Sequence, residues 1–169
     1  MTREILFRGK IKDGGEWVYG IPINTHIGTF ISWEENPHYC SQYNYMEISE
    51  IGLVDSETLG QYTGLADKNG NRIFEGDILQ CNNNPLDLVK AVFGAFTVID
   101  METESTVDGV FGWHYEVIPT ADPLSKVEPF CYSMPLTDYY IDRCGMVIVG
   151  NVHDNPELME VTNHESDKK

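Results

Sequence analysis

The chain has 169 residues, 41% of them hydrophobic and 22% charged, and a formal net charge of −16. That length supports one ordinary core, or two small ones sharing an interface, and the composition excludes an intrinsically disordered chain. The charge argues against direct binding to nucleic acid, which needs clustered Lys and Arg against phosphate: residues 13–67 hold nine acidic residues and no Lys or Arg, and residues 91–167 hold fourteen against Lys126 and Arg143.

The basic stretch is the beginning, where Arg3, Arg8, Lys10 and Lys12 stand against Glu4 alone. Its apolar run, Ile5, Leu6 and Phe7, is too short for a secretion signal, and the longest later run, Met146–Val149, is too short to span a bilayer. Cys40, Cys81, Cys131 and Cys144 are widely spaced with no CxxC pair. The expectation is a cytoplasmic protein with reduced thiols and no membrane association.

Strand signals dominate in chain order. Residues 16–23 and 26–33 are aromatic and β-branched. Glu34–Tyr45, with Pro37 and Asn44, reads as a loop. Residues 46–54 read as strand broken by a bulge or turn near Glu50. Asn69-Gly70 predicts a hairpin with a type I′ turn, because both residues accept positive φ. Glu75-Gly76-Asp77 predicts a second turn that feeds a strand at Ile78 and Leu79. Strands at 88–93 and 96–100 are predicted to join at Gly94-Ala95, with an exposed loop at 101–108 and another strand at 110–118. Pro119, Pro123, Pro129 and Pro135 argue against a long helix. Met146–Val152 reads as a buried strand, and Asn155-Pro156-Glu157 as the capped start of a short helix. The reading is a single domain over 1–162 with a polar, disordered tail at 163–169. The first strand is expected to pair with the last.

Three segments in this order carry a family resemblance. The opening is Arg3-Glu4-Ile5-Leu6-Phe7-Arg8 with Trp17-Val18-Tyr19-Gly20. The centre runs Leu59-Gly60-Gln61-Tyr62-Thr63-Gly64-Leu65-Ala66-Asp67-Lys68-Asn69-Gly70, then Ile73-Phe74-Glu75-Gly76-Asp77-Ile78. The close is Val149-Gly150-Asn151-Val152 with Asn155-Pro156-Glu157-Leu158. Together they resemble the YopX family of phage and prophage proteins, over nearly the whole chain. The resemblance implies a phage or prophage gene, and a mainly β fold of antiparallel hairpins forming small barrel-like sheets with a short C-terminal helix. It brings no biochemical activity and no catalytic residues to map. The direct run from Phe7-Arg8-Gly9-Lys10 into Ile11-Lys12, and the acidic stretch Asp100–Pro135, depart from the family pattern.

No motif for catalysis, cofactor or metal survives inspection, so no catalytic, cofactor-binding or metal-binding residue is assigned and no cofactor is expected. Asp67, Asn69 and Asn71 sit at calcium-loop spacing, but Arg72 stands where Gly is required and Ile78 where Glu is required. Gly60 and Gly64 bracket a strand-type sequence, not the helix start that a phosphate site needs. Glu75 and Asp77 offer two carboxylates, but turn chemistry explains both. His38 and Cys40 lie two apart, and Cys81, His114, Cys131 and Cys144 could only complete a zinc set from far away in sequence. Buried cysteines acting as small hydrophobes are the simpler reading. The Trp and Tyr residues, from Trp17 and Tyr19 to Tyr139 and Tyr140, lack interleaved basic residues, which argues for core and interface over base stacking.

The favoured function is that of a non-enzymatic accessory protein acting on an unknown protein partner, itself assembling as a homo-oligomer. One alternative is an acidic DNA mimic that occupies a host nucleic-acid-binding protein. The other is a metal-dependent enzyme built from the scattered His, Cys and acidic residues.

Overall fold

Strand-forming runs separated by Gly- and Asn-bearing turns produce a mostly β protein, 57% strand and 10% helical, with two antiparallel sheets and one short α-helix. The computed structural model describes residues 4–33, 38–43, 45–99, 105–119 and 133–160. The tail expected at 163–169 lies outside them. The chain divides into two compact units, Met1–Tyr62 and Thr63–Lys169.

In the first unit the strands are β1 (Phe7–Lys10), β2 (Trp17–Thr25), β3 (Gly28–Ser32), β4 (His38–Cys40), β5 (Tyr45–Glu47), β6 (Ile51–Leu53) and the start of β7 (Gly60–Ala66). The lateral order is β6-β3-β2-β1, and β1 also takes Gly60 and Gln61 of β7. The break expected near Glu50 is real, since β5 and β6 are separate strands. The loop expected over 34–45 is not a loop throughout: β4 and β5 pair, with Tyr39 opposite Met46, while 34–37 and Asn44 lie outside the described residues.

The sheet curls. A single bridge joins Ile11 to Val54, and Asp55 N–H donates to the Lys10 carbonyl at 2.9 Å. Ile31 and Val54 fill the inside of the curve. Gly20 is required there, because a Cβ would run into the Ser32 carbonyl oxygen. The sheets stay open, so the barrel-like expectation holds only as curvature.

The second unit begins with the rest of β7 beside β8 (Arg72–Phe74). It continues with β9 (Asp77–Cys81), β10 (Asn84–Ile99), β11 (Thr106–Val117), β12 (Met134–Pro135), α1 (Asp138–Arg143) and β13 (Val147–Asn151), the sheet order being β12-β11-β10-β9-β13. Its core gathers Ile73, Leu79, Cys81, Val89, Ala91, Tyr115, Ile141, Cys144 and Met146. Helix α1 follows from its caps: the Thr137 side chain accepts from Tyr140 N–H at 3.3 Å, and Asp138 and Arg143 suit the positive and negative ends.

Other expectations also need correction. Gly70 has φ +85 but Asn69 does not share a positive φ, so Asn69-Gly70 is not a type I′ turn. The paired positive-φ residues are Asn82 (φ 53) and Asn83 (φ 55), which join β9 to β10 with Cys81 opposite Asn84. Gly94-Ala95 does not end a strand. β10 runs through it for 16 residues, and the irregularity falls between Phe96 and Val98. The loop expected at 101–108 ends early, since Thr106 already pairs with Ile99, and 101–104 lie outside the described residues. The ends do not pair: β1 lies against β2 and β7, and β13 lies against β9.

The helix expected at Asn155 is a 3-10 turn, Pro156–Met159, without a side-chain cap. Asn155 Oδ1 instead accepts from Asn151 N–H at 3.3 Å.

Candidate functional site

The central family motif is spent on architecture. Thr63 Oγ1 donates to the Ile73 carbonyl at 2.9 Å and accepts from Leu65 N–H at 3.1 Å, which ties β7 to β8. The Asp67 carboxylate faces inward. Its Oδ1 accepts from Asn69 N–H (2.9 Å) and Asn71 N–H (2.8 Å), and its Oδ2 accepts from Asn71 Nδ2 (3.1 Å) and Ile148 N–H (3.1 Å). Burial alone pushes this carboxyl up, but the four donors outweigh it and hold the pKa below the ordinary value of 3.8. Both oxygens are thus committed to protein donors, the opposite of a calcium loop that turns its oxygens on a cation.

Asp77 behaves as its turn chemistry predicts. It is 1% exposed, opens β9, and its Oδ2 accepts from Phe74 N–H at 2.7 Å across the Gly76 turn (φ +79). Gly60 and Gly64 lie on β7, which leads to β8 and not to a helix. The closing motif is equally structural. Asn151 Oδ1 accepts from His153 N–H (3.0 Å) and Asp154 N–H (2.9 Å), and a Cβ at Gly150 would strike the Asn155 side chain.

The cysteines and histidines do not converge among the described residues, where no group of three His, Cys, Asp or Glu is placed to hold a metal. Cys81 and Cys144 are buried in the core of the second unit and form no disulfide. Burial raises the Cys144 pKa. Burial, with the nearby thiols of Cys144 and Cys81, also raises Tyr115, whose hydroxyl has no hydrogen-bond partner among the described residues. His114 is buried, stacked on Phe96 with ring centroids 4.5 Å apart, its Nδ1 3.2 Å from the Gly112 carbonyl. His38 and Cys40 fall on β4, and Cys131 lies outside the described residues.

What remains is the long ribbon of β10 and β11. Its register places Val89, Ala91 and Phe93 opposite Val117, Tyr115 and Trp113. Opposite residues share a face, so one face starts as core at Val89, Ala91 and Tyr115. It then runs on to Phe93 (43% exposed) and Phe111 (69% exposed). Phe93 meets Phe111 edge to face at 5.1 Å and Trp113 at 5.0 Å. The second face is better covered, carrying the His114–Phe96 stack and a Lys90–Glu116 ion pair at 2.9 Å.

Sequence reading named Trp113 but passed over Phe93 and Phe111. The signal was present. Both lie beside glycines in an alternating run, Phe93-Gly94 and Phe111-Gly112, where bulky residues on one face oppose bare positions on the other.

The YopX protein family model matches residues 6–160. No curated protein matches the chain. Among solved structures, the crystal structure of protein EF1440 from Enterococcus faecalis is similar at a TM-score of 0.53 and 23% identity, covering 94% of this chain and 100% of that one. That likeness is one of fold. The family match spans all three motif segments from Leu6 onward, and the chain belongs to the YopX protein family.

Proposed function

We propose that this YopX-family protein is a phage- or prophage-encoded accessory protein that works by protein–protein contact in the bacterial cytoplasm, not by chemistry of its own. The observation that carries the reading is the aromatic face at Phe93 and Phe111, 43% and 69% exposed, continuous with a packed core. Large aromatics on a rigid strand pair supply contact area at little entropic cost, which is how interface anchors work. The polar residues of the family motifs, by contrast, are committed to turns.

Photocrosslinking tests this. Benzoylphenylalanine at Phe111 is expected to give a discrete adduct in cells carrying the gene, and the same group at Asp13 is expected to give none. Equal labelling from both positions defeats the reading. Light scattering reads self-assembly, and a strict monomer at high concentration removes the homo-oligomer.

A second reading rests on the charge of −16 and the absence of Lys and Arg from residues 13–67. A surface of that sign imitates the phosphate backbone and would occupy a nucleic-acid-binding protein. Capture of DNA-binding proteins that disappears on raising the salt supports it, and salt-insensitive capture defeats it.

A further inference from the structure

Among the described residues, strand β10 has a neighbour on one side only beyond Ala91. β9 pairs with it no further than Lys90, and the last contact on that edge is Gly76 N–H donating to the Ala91 carbonyl at 2.9 Å. Ladder parity then fixes what the edge presents. Ile118 N–H donates to the Leu88 carbonyl across β11, so even-numbered residues from 88 to 96 bond inward and odd-numbered ones point outward. Phe93 and Ala95 therefore carry their N–H and C=O groups on the open edge, and among the described residues none of these four groups is paired.

Natural sheets blunt such an edge with Lys, Pro or a charge that points inward. Ala91–Ile99 reads Ala-Val-Phe-Gly-Ala-Phe-Thr-Val-Ile, with no charge and no Pro, and is interrupted only by the irregularity after Phe96. An open edge of two residues beside an exposed aromatic is the geometry of strand addition, in which main-chain bonds give affinity and alternate side chains give choice.

We propose that the β10 edge at Phe93 and Ala95 receives an extended strand from a partner protein, with apolar residues alternating with Lys or Arg. This rests on the contact reading above and names the mode and the partner chemistry. The apolar side chains of the added strand fall beside Phe93. The basic ones fall on the other face, where Glu116 is already paired with Lys90, and are drawn by the net negative charge of the chain. Charge selects this occupant over a second copy. The chain carries −16 overall, and residues 91–167 hold fourteen acidic residues against two basic ones, so edge-to-edge pairing of two copies brings like charges together.

The test uses the whole protein, isotope-labelled, and a blocked peptide of sequence Lys-Val-Lys-Phe-Lys-Val-Lys. The peptide is expected to shift the Phe93 and Ala95 amides. The same peptide with Glu for Lys, and one N-methylated at its central residues, are each expected to bind at least about tenfold more weakly. On the protein side, Ala95→Pro removes one outward N–H, which edge strands tolerate, and should cost a similar factor with an unchanged melting temperature. If that variant fails to fold, the N-methylated peptide gives the same answer without touching the protein. Equal binding of the parent and N-methylated peptides overturns the proposal, as does equal binding of the Lys and Glu peptides. Self-association that Ala95→Pro abolishes assigns the edge to a second copy and also overturns it. An adduct at Phe111 that persists in Ala95→Pro leaves the contact reading standing while strand addition falls.

Discussion

Ile148 donates its backbone N–H to the carboxylate of Asp67 at 3.1 Å, across 81 positions of sequence. The turn between β7 and β8 is thereby fastened to β13, and Lys68 N–H reinforces the join by donating to the Met146 carbonyl at 3.0 Å. Replacing the buried Asp67 by Ala takes the acceptor from three backbone donors and one side-chain donor, those of Asn69 and Asn71 on exposed residues and that of Ile148 half-buried. A loss of about 2–4 kcal/mol is expected from urea unfolding. A loss below about 0.5 kcal/mol would mean water substitutes for the carboxylate.

The same carboxylate makes stability depend on pH in a defined direction. Its folded pKa lies below the ordinary 3.8. Its contribution is therefore complete above the unfolded value and drains away as pH falls through the folded one. Urea midpoints of the parent should decline more steeply below about pH 4 than those of Asp67→Asn, which has no carboxylate to titrate. Parallel declines would remove Asp67 as the source.

The β9–β10 turn needs left-handed backbone at two successive asparagines, φ 53 at Asn82 and 55 at Asn83. Asn83→Gly relieves the remaining Cβ strain and should stabilise by about 0.5–1 kcal/mol, while Asn83→Val should destabilise by at least about 1 kcal/mol. Thermal melts of the two variants check the sign, and melts displaced in the same direction would show that the turn is not under φ control.

Tyr115 gives an unusual expectation. Its hydroxyl is buried and, among the described residues, has no hydrogen-bond partner. Tyr115→Phe removes an unsatisfied polar group, so it should be neutral or stabilising by up to about 1 kcal/mol. Loss of more than about 1 kcal/mol in calorimetry would reveal a partner for the hydroxyl.

Gly150 and Asn155 should behave as a coupled pair. A methyl at 150 strikes the Asn155 side chain, so Gly150→Ala should cost about 1–3 kcal/mol. In the background of Asn155→Ala, much of that cost should vanish, and a double-mutant cycle measures the difference. Strict additivity would mean that the backbone, not Asn155, resists the methyl.

Local physics was readable in the sequence where the determinant is local. The Asp77 turn, the break near Glu50 and the strand at Met146–Val152 depend on neighbouring residues alone, and each is found within a residue or two, although that strand is mostly half-buried, with Val149 39% exposed. Asn69-Gly70 misled because a third residue decides the turn: Asp67 takes both the Asn69 and Asn71 N–H groups, and so spares Asn69 the left-handed conformation. Gly94 suggested a break, but a glycine can also sit inside a strand, and a Cβ placed there would meet the His114 ring only at an ordinary 3.8 Å. The pairing of β13 with β9 in place of β1 is a topological choice that no local residue encodes. The aromatic face was legible in its parts but not as a site, because exposure at Phe93 and Phe111 depends on where β9 stops.

The irregularity between Phe96 and Val98 has a consequence for behaviour at high concentration. Nine uncharged, proline-free residues in a row, six of them β-branched or aromatic, approach the composition of a fibril-forming segment. Stacking into a cross-β ladder requires six or seven of them flat and in register. The kink after Phe96 leaves only Ala91–Phe96 flat, six residues of which three are Ala or Gly, so the ribbon should stay free of thioflavin-positive growth as long as the hairpin is folded.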